Sequence, residues 1–366
     1  MCFVLFALFR DLRVPTFFGL AGLDSPVYGG GDGRFLCRRR RFWLALFPFL
    51  DIQSIHPRMP ESSLELGLRV KIPKNRVSIL RQRERSPPMA DRRKGILWFL
   101  VIAFAITWGS ILVIYLTGIP TPGTSQEIRN PLLGFLSMLG TFGPAIAAFV
   151  VRKWITREGF KDAGLRLKLR AGWKYYLCAA LYPLVVVPVA LGVAAASGEA
   201  IQGLSAESLV TLIPLFVSAI VWTLIFFGEE FGWRGYLQDR LAPGKPILAA
   251  ILTGLIWGVW HYAIVLSGMS LSGNPVALLI YPIQSAVGSI FLGWLRTKSS
   301  SVWPACLAHA VGNIFMSEVI ALLLPGIPQL LTWGAFSLAG YTVVALVLVV
   351  SRQVKWREMP PEQALV

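Results

Sequence analysis

From Gly95 onward the chain is a succession of apolar stretches, each about 20 residues long, separated by short polar segments. A helix needs about 20 apolar residues to cross a bilayer, and in lipid only helices and closed barrels satisfy their own backbone hydrogen bonds. The pattern therefore predicts an all-α, polytopic transmembrane bundle of about eight spanning helices. The predicted spans are 95–117, 131–151, 173–196, 208–228 (continuing as helix to about 240), 246–267, 275–295, 302–324 and 329–350.

The composition supports a membrane protein, because 55% of the residues are hydrophobic and only 15% are charged, against about 25% charged in an average soluble domain. The net charge of +16 is divided evenly: residues 1–88 carry 15 Lys/Arg and 7 Asp/Glu, and residues 89–366 carry 20 and 12. In the second part the basic residues lie almost entirely between apolar runs, as membrane loops require. Membrane lipids, and not nucleic acid, are therefore the expected surroundings. The four cysteines have no CxxC or metal-ligand spacing, so no disulfide framework is predicted.

The loops alternate in their content of lysine and arginine. The segment 152–170 holds seven basic residues, whereas 197–207 and 268–274 hold none. Lys/Arg-rich loops stay in the cytoplasm, so both ends of the eight-helix unit are expected to be cytoplasmic.

Residues 1–88 differ from the rest of the chain. Their apolar runs are too short to span a bilayer, and the remainder is rich in Arg, Pro and Gly without periodicity. A targeting segment is one interpretation. The preferred one is a poorly structured or over-extended N-terminal region, because Met89 opens MADRRKGILWFL, which resembles the start of a bacterial membrane protein. We therefore expect a membrane domain at 89–358, with its motifs in 205–320, in the plasma membrane of a bacterium.

Few ionisable side chains lie inside the predicted spans. They are Glu229, Glu230 and Arg234 in the fourth span, His261 in the fifth, and His309 and Glu318 in the seventh. Residues four apart on a helix are neighbours, so Glu230 and Arg234 can pair. Glu229 is rotated by about 100° from Glu230 and faces another direction. Glycines at 228, 232 and 235 leave the same helix a thin strip that neighbouring helices can approach closely.

The same spacing joins Trp257 to His261 and His309 to Asn313. Polar faces in lipid turn towards one another, because the alternative is an unpaired group in hydrocarbon. A helical rise of 1.5 Å per residue places these groups roughly 10–22 Å from the cytoplasmic ends of their spans, which is compatible with one buried site. Glu318, nearer the outer end, is expected to be structural or pore-facing.

The residue types in this set point to hydrolysis. A buried glutamate can act as general base on water, a neutral imidazole can orient that water or bind a metal, and an asparagine amide can donate to an oxyanion. No GxSxG or HExxH motif is present. His261 and His309, with up to two glutamates, could hold Zn²⁺ with one position open for water. That set would use Glu229 as a ligand and remove the obvious base, so a zinc cofactor stays open.

Three motifs, in order on successive polar helices, resemble those of the CAAX protease and bacteriocin-processing family (Abi family). They are Glu229-Glu230-xxx-Arg234, Trp257-xxx-His261 and His309-xxx-Asn313. Family members are intramembrane endopeptidases related to the prenyl-protein endopeptidase. The resemblance covers about 205–320 for the motifs, and 95–350 with the helix layout. Trp257 departs from the pattern, since the family commonly has Phe there, and we expect it to act as an equivalent aromatic wall.

The resemblance implies a role for each motif residue. Glu229 would activate water, His261 would help to hold that water, and His309 with Asn313 would stabilise the oxyanion. Glu230, paired with its arginine, would fix the motif helix. The family is often labelled metalloprotease and has also been argued to work through glutamate without metal, so the resemblance implies either Zn²⁺ or no cofactor.

A hydrophobic or lipidated peptide is the substrate that the resemblance implies. Two other classes stay open. A non-catalytic bacteriocin-immunity or scaffold protein would have the same helices, but retention of every catalytic position favours an enzyme. A proton-coupled transporter could use the glutamates and histidines as a relay, but residues 95–200 contain no second copy of the Glu-Glu-xxx-Arg motif that an inverted repeat would supply.

Overall fold

The computed structural model describes residues 89–117, 131–203, 205–268, 274–328 and 330–354. Within these ranges the chain forms helices and no strand, as the sequence predicts. The predicted extension 1–88 lies outside the described residues. The α-helices are α1 Met89–Leu116, α2 Pro131–Val150, α3 Leu169–Leu181, α4 Pro183–Ala196, α5 Ala206–Gly232, α6 Gln238–Leu241, α7 Pro246–Trp260, α8 Tyr262–Leu266, α9 Ala277–Ser299, α10 Trp303–Ile314, α11 Ile320–Leu323 and α12 Ser337–Val350.

Turns of π-helix interrupt several of these helices. They occupy Val151–Ile155, Trp233–Leu237, Phe315–Val319 and Leu330–Phe336. Two of them directly follow helices that carry predicted motifs, α5 and α10. A π turn inserts one residue into the helical register and is frequent at functional sites, so the residues after each turn are rotated relative to an uninterrupted α-helix.

Six of the described helical stretches are long and apolar enough to cross a membrane. They are Asp91–Leu116, Pro131–Ile155, Leu169–Ala196, Pro246–Leu266, Ala277–Ser299 and Leu330–Val350. They agree with six of the eight predicted spans. The other two predicted spans are helical, over Ala206–Gly232 and over 303–323, but do not belong to this set of six. The described part of the chain is therefore all-helical, and the protein is an integral membrane protein.

The helices approach one another closely at glycines. A Cβ atom on Gly232 of α5 would lie 2.4 Å from the Cβ of Pro144 in α2, and one on Gly258 of α7 would lie 2.3 Å from the Cα of Pro282 in α9. Small residues at such crossings let two backbones touch, which is how helices associate in a membrane. These contacts fix α5 against α2, and α7 against α9.

The basic loop after α2 packs against the C-terminal end of the helix that carries Glu229 and Glu230. Arg152 is completely buried; it binds both carboxylate oxygens of Asp162, at 2.8 and 3.1 Å, and donates to the backbone oxygen of Gly235 at 2.9 Å. Arg240 binds Glu158 at 2.7 Å. Burial raises the pKa of Asp162, but the hydrogen bond and charge of Arg152 and the charge of Arg240 outweigh it, so that the pKa lies below its ordinary value of 3.8. These ion pairs and hydrogen bonds therefore hold part of the basic loop against the C-terminal end of the helix that carries Glu229 and Glu230.

Candidate active site

A cavity of about 250 Å³ lies between the helices that carry the predicted motifs. Its wall includes Glu229 of α5, His309 and Asn313 of α10, and His261, which lies between α7 and α8. The structure thus brings together the four side chains to which the sequence assigned chemistry. The wall also includes Thr141, Tyr182, Trp257, Trp260, Ile264, Tyr281, Gln284, Ser285, Gly288, Phe291, Leu292, Ala308, Gly312 and Tyr341.

The two adjacent glutamates of α5 face different partners. Glu230 is fully buried and accepts a hydrogen bond from Nη1 of Arg234 at 2.8 Å, the ion pair that the spacing predicts. Glu229 is 5% exposed, and its Oε2 accepts a hydrogen bond from Nε1 of Trp257 at 2.8 Å. The rotation of about 100° between successive residues separates the two carboxylates, so that Glu229 reaches the cavity and Glu230 packs behind it.

Trp257 does more than form the aromatic wall that the sequence predicted. Its indole N–H binds Glu229, and its ring lies 4.6 Å beneath the guanidinium carbon of Arg234. The additional hydrogen bond has a simple reason: tryptophan carries an N–H donor that phenylalanine lacks. The cation above the ring contributes a further attraction, stronger when both groups are desolvated.

Glu230 also holds His309, a contact that the sequence did not predict. The Nδ1 atom of His309 lies 3.0 Å from Oε1 of Glu230, and the imidazole stacks on Phe226 with ring centres 3.9 Å apart. Because a carboxylate only accepts, Nδ1 carries the proton and Nε2 is the free ring nitrogen. The same carboxylate therefore stabilises Arg234 and sets the orientation of His309.

His261 lies where α7 ends and α8 begins. Its Nδ1 atom is 2.8 Å from the backbone oxygen of Trp257, and its ring stacks on Tyr281 with centres 4.9 Å apart. A carbonyl oxygen only accepts, so Nδ1 is protonated and Nε2 of the neutral ring keeps its lone pair. His261 thereby offers an acceptor, or a metal ligand, at Nε2.

Three other polar residues differ in their position relative to the cavity. Asn313 is half-buried and lines the cavity one turn beyond His309. Glu318 is exposed, lies in the π turn that follows α10, and is outside the cavity lining. Gln284 lines the cavity and donates to Oγ of Ser337 at 2.8 Å.

Sequence reasoning missed Ser289 of α9. Its Oγ accepts a hydrogen bond from Nη2 of Arg234 at 2.7 Å, and the residue is fully buried. It also missed the tyrosines of the cavity wall, among them Tyr182 and Tyr341. Helical spacing relates Ser289 to Ser285 of its own helix and not to Arg234, so no sequence pattern links its hydroxyl to the partner on another helix.

The described residues do not assemble a complete set of metal ligands. Among them, no group of three or more His, Cys, Asp or Glu side chains is placed to hold a metal ion. A structural or catalytic zinc site takes at least three protein ligands. Each histidine has only Nε2 left for a metal, because Nδ1 contacts Trp257 in His261 and Glu230 in His309, so the two rings supply two ligands at most. The donor set thus does not fit zinc, and the chemistry below involves no metal.

Comparison with known proteins agrees with this arrangement. Residues 211–315 match the family model described as Type II CAAX prenyl endopeptidase Rce1-like. The match supports the resemblance of this segment to the CAAX protease family. The family is a protease family, and the matched segment contains all three predicted motifs, from Glu229 to Asn313.

A curated relative matches part of the chain. The chain is 30% identical over 132 residues to the Hydrogenase-4 component F homolog of Methylacidiphilum infernorum (isolate V4). The match covers 33% of this chain and 28% of that protein, so the chain spans little more than a quarter of the relative's length. This likeness does not bear on the protease chemistry.

Proposed function

We propose that the chain is an intramembrane endopeptidase that hydrolyses a peptide bond near the membrane end of a hydrophobic or lipidated, CAAX-like substrate. One observation carries the proposal: Glu229, His261, His309 and Asn313 line the same cavity and lie within the segment matched by the protease family. The sequence alone left open a non-catalytic scaffold protein. Such a protein does not require a general base, a hydrogen-bond acceptor and two hydrogen-bond donors around one cavity.

Activation of water is the first step. The indole N–H of Trp257 holds Oε2 of Glu229, so that Oε1 receives a proton from a water molecule. Nε2 of His261 accepts the second O–H of that water, since Nδ1 is occupied by the backbone oxygen of Trp257. A water held at both protons directs a lone pair towards the substrate carbonyl carbon. General-base catalysis of this kind contributes about 10²–10⁴-fold to the rate.

Stabilisation of the oxyanion is the second step. As the water oxygen bonds to the carbonyl carbon, the carbonyl electrons move to oxygen, and the side-chain amide of Asn313 donates to that oxygen. His309 donates through Nε2 when its ring carries a proton on both nitrogens, and the contact of Nδ1 with the Glu230 carboxylate at 3.0 Å orients the ring towards the cavity. One oxyanion donor is worth about 2.7–4 kcal/mol in the transition state.

Collapse of the tetrahedral intermediate completes the reaction. The electron pair on oxygen re-forms the carbonyl, the C–N bond breaks, and Glu229 returns its proton to the departing amine. The products are a new C-terminal carboxylic acid and a peptide with a free amine. Glu229 is again a carboxylate, ready for the next water.

A reconstituted cleavage assay tests the proposal. Purified protein in liposomes is given a fluorogenic peptide with a prenylated or hydrophobic C-terminal segment, and the variant Glu229→Gln, which keeps the shape of the side chain but lacks the base, is compared with wild type. We expect Glu229→Gln to lose cleavage by at least about 10²-fold with unchanged expression. Glu318→Gln is the matched control, because Glu318 is an exposed glutamate outside the cavity lining. Equal rates for wild type and Glu229→Gln would refute the mechanism.

We also infer an eight-span topology with both ends in the cytoplasm, in a bacterial plasma membrane. Helix α5, Ala206–Gly232, has 27 residues, and the helical stretch 303–323 spans about 30 Å at 1.5 Å per residue, so both can cross the hydrocarbon core. The alternation of lysine and arginine between loops supports the orientation.

A further inference from the structure

We propose that Ser289 of α9 is a positioning residue, which holds Arg234 so that the base Glu229 and the donor His309 are oriented together. The inference rests on the proposed function for its catalytic consequence. Ser289 is absent from the three motifs, and its side chain is fully buried. Its hydroxyl is joined to Arg234 and does not belong to the cavity lining.

Arg234 is the centre of the arrangement. Its Nη1 donates to Glu230 at 2.8 Å and its Nη2 donates to Oγ of Ser289 at 2.7 Å, while the guanidinium carbon lies 4.6 Å above the centre of the Trp257 ring. Glu230 is on the same helix as Arg234, one turn away. Ser289 and Trp257 are therefore the contacts that fix the guanidinium relative to other helices.

Two chains of contact lead from the guanidinium to the reacting groups. One passes through the Trp257 ring, whose Nε1 donates to Glu229 at 2.8 Å. The other passes through Glu230, whose Oε1 binds His309 at 3.0 Å. A rotation of the guanidinium consequently disturbs both the base and the oxyanion donor.

The buried surroundings make the serine hydroxyl hard to replace. Within the described part of the chain, Nε of Arg234 and Oε2 of Glu230 already lack a hydrogen-bond partner. Removing Oγ of Ser289 would leave Nη2 of Arg234 unpaired as well. A buried donor without a partner is unfavourable, so the guanidinium should turn to find another acceptor and carry Trp257 and Glu230 with it.

Enzyme kinetics provides one test. In the liposome assay, Ser289→Ala should lower kcat by roughly 10–100-fold, since a misplacement of about 1 Å can cost 10²-fold, while KM changes little. Ser289→Thr, which keeps the hydroxyl, should recover most of kcat. Ser299→Ala is the matched control: Ser299 is a buried serine of the same helix, bonded to the Leu295 backbone oxygen, and its loss should leave kcat unchanged.

A spectroscopic test does not depend on activity. In protein labelled with ¹⁵N at tryptophan, the indole resonance of Trp257 is assigned by its absence from Trp257→Phe. It should shift in Ser289→Ala, because the hydrogen bond to Glu229 changes, and stay in place in Ser299→Ala. An unshifted resonance in Ser289→Ala, or wild-type kcat in that variant, overturns the positioning role. Absence of cleavage by the wild-type protein together with a shifted resonance would instead count against the proposed function alone.

Discussion

Replacing Glu230 with alanine separates the architectural role of this glutamate from the catalytic role of its neighbour Glu229. Both side chains of the Glu230–Arg234 pair have no exposed surface, and their closest atoms are 2.8 Å apart. In Glu230→Ala the guanidinium stays buried without a counter-charge, and His309 loses the acceptor at 3.0 Å from its Nδ1. The variant is therefore expected to lose stability and activity together.

The expected loss of stability follows from these two contacts. Hydrogen bonds to charged groups contribute about 1.5–3 kcal/mol each, so losing two of them predicts roughly 3–6 kcal/mol. Breaking a buried ion pair by removing one partner costs about 3–5 kcal/mol in measured cases. Both estimates lie near 4 kcal/mol, a large fraction of the roughly 5–15 kcal/mol that stabilises a typical domain.

The measurement is the free energy of unfolding in mixed detergent micelles titrated with a denaturing detergent. The double variant Glu230→Leu, Arg234→Met is the informative partner. Replacing a buried pair by apolar side chains of similar volume is often neutral or stabilising. We expect the double variant to regain most of the stability lost in Glu230→Ala while staying inactive, because His309 still lacks its partner.

Unchanged stability of Glu230→Ala would refute this reasoning, since it would mean that the Arg234 charge finds another acceptor or is not buried. Recovery of activity in the double variant would refute the role of Glu230 in orienting His309. Glu229→Gln serves as the reference within the same helix, because it keeps an acceptor for the Trp257 indole and should unfold close to wild type.

Three further perturbations test other parts of the structure. Gly258→Ala should lower both folded yield and cleavage, since the added Cβ would lie 2.3 Å from the backbone of α9; Gly109→Ala, with nothing within 4 Å of its Cβ, is the control in the same yield assay. The pKa of Asp162 in the folded protein is lowered, so its stabilising contribution is complete above its ordinary value of 3.8 and is lost as pH falls through the lower folded value. The difference in unfolding free energy between wild type and Asp162→Asn should accordingly shrink at acidic pH, and a difference that grows on acidification contradicts the argument. In a cysteine-free background, a membrane-impermeant thiol reagent should label Gly203→Cys but not Lys161→Cys in intact cells, and the reverse pattern would invert the topology.

Local physical constraints explain which features of the protein the sequence alone predicts. Apolar runs of about 20 residues specify spanning helices because lipid leaves the backbone no other partners. The pairing of Glu230 with Arg234 follows from helical spacing alone, and the structure contains it. The prediction that the polar faces of three helices meet follows from the free-energy cost of leaving polar groups in hydrocarbon. In the structure, residues of these faces line one cavity.

The partners within the site were decided by tertiary structure. The bonds from Trp257 to Glu229, from Arg234 to Ser289 and from His309 to Glu230 join residues 28, 55 and 79 positions apart. No periodicity relates such positions. Which donor meets which acceptor depends on the depth and rotation at which helices cross, and those are set where backbones touch, as at Gly232 against Pro144. The sequence by itself determined that these polar groups must be buried and paired; the close packing of the helices selected the partners.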